Sequence, residues 1–412
     1  MLIMKCQQPK RGHWSSLIPS SLASLTAAVL LAGVAGVAGA QDENAEDAKQ
    51  KQELPTDKTV KPHAASIEPR ARYELLLDVE HRGDKGFVTV GARGNLLLST
   101  DGLKWEQKKV PVRAMLTAVD FVDAKKGWAV GHDATIIGTA DGGETWELQN
   151  FDPELETPFL DVAFFDQNKG FAIGAYDLFF KTTDGGKTWE EYEEPLSVGE
   201  WHLNGIARLN DGTMVIVGET GLVSRSTDAG ETWQLIEGPY SGSYFGIKAL
   251  GEKGAIVYGL RGHAFVTDDV SKSRELPADT DLGYKFKKPP TMSDDGDGDK
   301  AAAGAPKSAE EAAVEQAAFE REQAEKAAAK SSWKVVKNDP SVLSLFGATT
   351  LKDGGYVLVG TNGIMWISDD NGPDVRLLPN TKDGGLSAVS ETKEGNLVLV
   401  GEPGVFLYKR NK

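Results

Sequence analysis

The sequence predicts an all-β fold: a seven-bladed β-propeller of four-stranded antiparallel blades, with an Ala/Glu-rich insertion, partly helical or disordered, in or after blade 5. Three observations predict it. An apolar residue followed by glycine recurs at Val90-Gly91, Val130-Gly131, Ile173-Gly174, Val217-Gly218, Tyr258-Gly259, Val359-Gly360 and Val400-Gly401, with glycine spacings of 40, 43, 44, 41, 101 and 41. Each pair lies in a unit with one internal order of short apolar runs, such as "LTAVDFV", "GWAVG" and "ATIIGTA", bounded by turn residues. A turn of the form Ser/Thr-x-Asp-x-Gly-x-Thr-Trp closes the unit at residues 139–146, 182–189 and 226–233. Four short strands in about 40 to 45 residues is the pattern of a propeller blade.

In chain order, the first segment stands apart. Lys5, Lys10 and Arg11 form a basic start, residues 17–40 carry no charge, and Ala38-Gly39-Ala40 offers small residues for cleavage. Residues 1–40 therefore read as an export signal, which places the mature chain in the periplasm. An uncleaved membrane anchor is the competing reading, because the apolar stretch is nearly long enough to span. Cys6, the one cysteine, lies in this segment without the small-residue setting of a lipidation site, so no disulfide or thiol chemistry is expected in the mature chain. Residues 1–40 carry three basic and no acidic residues, so their removal takes the formal charge from −16 to −19. That charge disfavours nucleic acid and anionic lipid as partners. Residues 41–72 are polar without an apolar period and read as a flexible acidic leader.

The propeller spans residues 73–410. Its last unit stops after a third strand, "VFLYKR", so the end of the leader, within 58–72, is expected to supply the missing fourth strand and close the ring. The 101-residue spacing locates the insertion, residues 276–332. Its first half has linker composition. Residues 308–330 are good helix formers with Ser308 as N-cap, but their apolar face is poor, chiefly Val314 and Phe319. A solvated spacer is the expected role, with partner contact through 308–330 as the alternative.

The recurring turn is expected to be structural. Asp141, Asp184 and Asp228 are placed to accept backbone N–H bonds, and Gly143, Gly186 and Gly230 to take positive φ. Trp146, Trp189 and Trp233 then have the area to wedge between blades. A shortened copy, "STDGLKW", keeps Asp101 and Trp105 but lacks the threonine. A turn tolerates such decay from unit to unit, whereas a catalytic motif does not.

This motif resembles the Asp box of BNR-type propellers, and the units at 116–146 and 160–189 look like repeats of the photosystem II assembly and stability factor family. The resemblance covers roughly residues 73–410 without the insertion. It implies an exported seven-bladed propeller without enzymatic activity that helps build membrane protein complexes. The arginine-rich patch associated with the photosystem clade is not matched by the scattered arginines here, and this departure from the family pattern makes a different client the expectation: an inner-membrane complex, such as a transporter with periplasmic domains.

Partner binding is expected on the face that carries the turns between second and third strands: Arg93, His132, Asp133, Tyr176, Asp177, Glu219, Arg261, His263, Asn362 and Glu402, with Trp201 and His202 from a linker between blades. The opposing readings are a sialidase-like Asp-box glycoside hydrolase or a carbohydrate-binding propeller. A sialidase grips its substrate carboxylate with three arginines, whereas only Arg93 and Arg261 occupy suitable loops, and no Arg-Ile-Pro occurs. Tyr176 and Glu219 are the best imitation of a nucleophile pair. His132, Asp133, His202 and His263 lack metal-ligand spacing. No enzyme activity, metal or cofactor is expected.

Overall fold

Each unit of the repeat folds into its own antiparallel sheet. The computed structural model describes residues 61–192, 196, 201–280, 282, 309–338, 343–380 and 382–410. The segment expected to be an export signal, most of the expected leader and residues 283–308 of the insertion lie outside the described residues. The chain divides into units 1–58 and 59–412, and all that follows concerns the second.

Seven sheets occupy residues 76–107, 116–150, 159–191, 203–235, 244–335, 345–377 and 386–408. The first six have four strands and the seventh has three. The innermost strand of each sheet neighbours that of the next, and Leu386–Glu391 of blade 7 returns to Leu76–His81 of blade 1. Second strands such as Gly127–Gly131 and Met214–Gly218 are buried throughout, since both their faces meet another blade. Between neighbouring blades lie the hydrophobic clusters, for example Val88, Val90 and Leu98 of blade 1 against Val119, Ala129 and Ile137 of blade 2.

Closure differs from the expectation. No residue of 58–72 among those described joins blade 7 as a strand. The leader's end instead docks on blade 1, where the Ala65 N–H donates to Val110 O at 3.0 Å and Gln107 is bonded to Ser66 and Glu68. Residues Ala71–Tyr73 form a 3-10 turn that backs onto Gly404 of blade 7. The seam itself is apolar: Leu76, Val79, Phe87 and Leu97 pack on Ala388, Val398, Val400 and Val405. Buried area does the work assigned to a shared strand.

The insertion lies within blade 5, between Ala264–Thr267 and the outer strand Lys334–Val335 that pairs with it. On leaving the third strand the chain runs along the edge of blade 4, where Ile236 bridges Glu275 and Arg225 pairs with Glu275 at 2.7 Å. Helix α1, Ala309–Ala328, then docks on the propeller and is not a solvated spacer. Of the two apolar residues expected to face it, Val314 is 53% exposed and Phe319 is half-buried. Ala317, Glu320, Ala324 and Ala328 are buried instead, at spacings of three and four. Ala324 joins a cluster with Tyr240, Phe265 and Trp333.

The Asp boxes are built as expected. In the copy at 139–146 the Thr145 N–H donates to Asp141 Oδ1 at 3.0 Å, the Thr145 hydroxyl donates to Oδ2 at 2.6 Å, and the Gly143 N–H donates to Thr139 Oγ1 at 3.0 Å. Asp184 and Asp228 repeat these bonds. Gly143, Gly186 and Gly230 have φ of 90°, 85° and 79°. In the short copy Asp101 still accepts the Leu103 and Lys104 N–H groups. Trp146 and Trp233 are buried, but Trp189 and Trp105 are only half-buried, so the wedge is unequal from blade to blade.

Candidate functional site

The turn between second and third strands is clamped in the same way in all seven blades, and the apolar-glycine repeat explains the clamp. These glycines sit where two backbones close on each other: a Cβ on Gly131 would fall 2.0 Å from Met115 O, and one on Gly259 2.3 Å from Ser243 O. The next residue donates its N–H to that same carbonyl, as His132 does to Met115 at 2.9 Å and Glu219 to His202 at 3.1 Å. Each pair thus clamps a turn to the linker entering its blade. In six blades the residue after that has positive φ: Arg93 59°, Asp133 58°, Tyr176 52°, Thr220 54°, Arg261 54° and Asn362 55°; blade 7 has Pro403 there. Because strands alternate in direction, these apices share one face with the interblade linkers, and the Asp boxes occupy the other.

The expected loop residues fall into different settings. Arg93, Asp133 and Asn362 are exposed, and Arg93 pairs with Glu74 at 3.3 Å. Glu219 and Glu402 are caps: Glu219 Oε2 accepts the His202 N–H at 3.1 Å, and Glu402 Oε2 accepts the Gly385 N–H at 2.9 Å. His132 is half-buried, and burial lowers its pKa. Tyr176, Asp177, Trp201, His202 and Glu219 come together across blades 3 and 4. Tyr176, 60% exposed, meets the His202 ring edge-on at 4.7 Å. Its N–H donates to His202 Nδ1 at 3.1 Å, which puts the proton of a neutral imidazole on Nε2. The Asp177 N–H donates to Trp201 O at 2.9 Å.

Arg261 and His263 do not belong to an open surface. Helix α1 covers them: Arg261 Nη1 pairs with the fully buried Glu320 at 2.5 Å, and His263 is stacked on Tyr240 with ring centres 4.2 Å apart. Burial pushes the His263 pKa down to about 4. The two arginines that a sialidase reading needs are therefore each committed to a different carboxylate, Glu74 and Glu320. The histidines lie in blade 2, on the blade 3–4 patch and under α1, and among the described residues no three His, Cys, Asp or Glu groups converge as a metal site.

The side chains that line the central channel went unpredicted. The inner strands enclose a central channel of about 390 Å³. In every blade the second residue of the inner strand is bulged out of register; Leu77, Leu160, Phe245 and Phe346 are four of these, and the last two stack with centres 5.5 Å apart. Deeper in, Asp78, Glu80, Asp120 and Asp161 line the channel together with Lys248, which is 3.9 Å from Glu80. Burial raises both Asp120 and Asp161 to about 7. The available signal was a carboxylate inside otherwise apolar runs, "LDVE", "AVDF" and "FLDV".

Fold and surface define an Asp-box seven-bladed propeller with a polar loop face, an interblade aromatic patch and a helix strapped over blade 5. Comparison with known proteins sharpens the class. The family described as photosynthesis system II assembly factor YCF48 matches residues 99–158 and 148–283. The chain is 44% identical over 43 residues to the photosystem II assembly protein Ycf48 of Thermosynechococcus vestitus, covering 10% of this chain and 12% of that one. It is 33% identical over 73 residues to the photosystem II assembly lipoprotein Ycf48 of Prochlorococcus marinus, covering 18% and 22%. These matches thus span less than a quarter of the relatives' length. A solved structure, YCF48 bound to D1 peptide, superposes with a TM-score of 0.56 at 15% identity, over 87% of this chain and all of the other. YCF48 from Cyanidioschyzon merolae gives 0.55 at 15% identity, over 82% and 95%. The chain is a photosystem II assembly factor-like seven-bladed propeller.

Proposed function

We propose that this protein is a non-enzymatic scaffold that binds a membrane protein complex and supports its assembly or operation. One observation carries the reading: the loop face presents an exposed Tyr176 set among the half-buried His202, Trp201 and Asp177 and held by backbone bonds from two blades. A rigid exposed tyrosine is a low-entropy anchor for a protein partner. Its neighbours Glu219 and His202 spend their bonds on the backbone, which suits display better than proton transfer. The resemblance to proteins named as photosystem II assembly factors supports the class of client.

The finer reading is a periplasmic protein, exported by the N-terminal signal, whose client is an inner-membrane complex with periplasmic domains, a large transporter being the leading candidate. Affinity capture from membranes after mild solubilisation should recover one defined membrane partner, and Tyr176→Ala should reduce its yield at least tenfold. Recovery of the propeller alone across several detergents would refute the scaffold. Turnover of fluorogenic sialosides that is lost in Tyr176→Phe would replace it with the hydrolase.

A further inference from the structure

Glu320 is a carboxylate with no exposure at all, on a helix whose other buried residues, Ala317, Ala324 and Ala328, are alanine and whose Arg321 bonds to Val336 O and Asn338 Oδ1. Its oxygens are fully engaged: Arg261 Nη1 donates to Oε1 at 2.5 Å, Gln316 Nε2 donates to the same oxygen at 2.8 Å, and the Tyr240 hydroxyl donates to Oε2 at 3.0 Å. Gln316 travels with the helix. Arg261, Tyr240 and the His263 ring stacked on Tyr240 belong to the propeller, and together they form a small basic cup.

Two features mark this cup as a receptor rather than a packing joint. Arg261 holds the positive-φ apex of its turn, the position that in blades 1, 2, 3 and 6 presents an exposed side chain. Among the described residues, blade 5 has that apex covered by a helix from outside the repeat. Second, His263 is 3% exposed, and its Nε2 has no hydrogen-bond partner, while Nδ1 faces Leu260 O at 3.1 Å. A neutral imidazole that donates Nδ1–H to that carbonyl leaves Nε2 as a buried acceptor for which α1 brings no donor. Structures seldom leave such a group unsatisfied unless something else satisfies it. Burying an ion pair is also a poor route to stability, because desolvation offsets most of the attraction.

We propose that blade 5 carries a binding site for a protein carboxylate, built from Arg261, Tyr240 and His263, and that Glu320 of α1 is its tethered occupant. The partner chemistry follows from the occupant. It is an acidic side chain on a helix with small residues around it, in the pattern Ala317, Glu320, Ala324, Ala328, and with an N–H or O–H donor within reach of His263. Such a segment displaces α1 and uncovers Arg261, so blade 5 joins the loop face only when the partner is bound. The inference does not depend on which complex the propeller serves.

The test uses the full chain. Glu320→Ala should empty the cup. Sodium acetate at tens of millimolar should then raise its melting temperature by several degrees over equal sodium chloride, since a ligand that binds only the folded state stabilises it. The increment should vanish in Glu320→Ala/Arg261→Met and in Glu320→Gln, which keeps the cup filled. N-acetylglutamate amide rescuing better than N-acetylalanine identifies a side-chain carboxylate as the ligand; the reverse order would replace the acidic helix with a chain terminus and overturn the stated partner. Wild-type protein supplies a measurement that needs no variant. N-acetylglutamate amide should speed hydrogen exchange in 309–328 at least severalfold and leave the inner strands unchanged. Equal melting of Glu320→Ala in the two salts, rescue that survives loss of Arg261, or unaltered exchange would show that Glu320 is a packing group only.

Discussion

Asp161 of blade 3 accepts the backbone N–H of Ile206 of blade 4 at 2.8 Å, from a side chain that faces the central channel. Asp78 does the same for Val119 of blade 2 at 2.9 Å, and Asp120 for Phe164 of blade 3 at 2.8 Å. Three consecutive seams are thus fastened by channel carboxylates. Burial lifts Asp120 and Asp161 to about 7. An unfolded aspartate releases its proton near about 4, so between those values the folded ring holds protons that the unfolded chain has lost. This contribution to stability is complete below about pH 4 and disappears as pH rises to about 7. Asp161→Asn keeps an acceptor for Ile206 and removes the ionisation. Its melting temperature should exceed that of wild type at pH 8 and approach it at pH 5; equal differences at both pH values would count against the assignment.

The Asp boxes act in the opposite sense. Asp184 is held at about 2 by the Thr188 N–H and hydroxyl, and Asp228 at about 2 by the Thr232 hydroxyl and N–H. A depressed carboxylate stabilises the fold fully above its unfolded value, and the gain is lost as pH falls through the folded one. Acid unfolding monitored by tryptophan fluorescence should therefore lose part of its slope between pH 4 and 2 in Asp228→Asn.

Equivalent indoles should not cost the same when removed. Trp146 is buried between blades 1 and 2 and donates to Gly143 O at 2.9 Å, so Trp146→Ala should lose roughly 3–5 kcal/mol in denaturant titration. Trp189 is half-buried, and its indole N–H reaches Gln149 Oε1 at 3.2 Å. Trp189→Ala should cost clearly less, and an equal loss would show that exposure does not set the difference.

Docking of α1 should be sensitive to one small residue. Ala324 has no exposure and touches the Tyr240–Trp333 cluster. Ala324→Asp buries a charge there and should destabilise the protein by about 2 kcal/mol or more, with faster hydrogen exchange in 309–328. Deletion of 309–330 should lower the melting temperature, because it uncovers Tyr240 and Trp333. Unchanged melting would mean that the helix contributes nothing to the core.

Local, repeated features were legible in the sequence. The Asp boxes form within eight residues, so their hydrogen bonds and positive φ follow from residue type. The apolar-glycine pairs were visible as a period, although their cause, a carbonyl 2.0 Å from the missing Cβ of Gly131, exists only when blade and linker meet. The face of α1 was misread because alanine carries little weight in a hydrophobic pattern and glutamate carries the wrong sign. Burial of Glu320 needs Arg261 and Tyr240, and they lie 59 and 80 residues away. Glu219 and Glu402 were picked as display residues, because nothing in the chain shows that each turns back to cap the N–H of its own linker.

By itself, the sequence determined that there are seven units, how each is ordered, and which turns punctuate them, since strands and tight turns depend on neighbours a few residues apart. Only the tertiary structure decided how the ring shuts, where the helix lies, and which polar side chains face solvent. Those outcomes depend on surfaces that come together from distant blades, where an apolar seam can replace a shared strand and a half-buried arginine can make a home for a buried carboxylate.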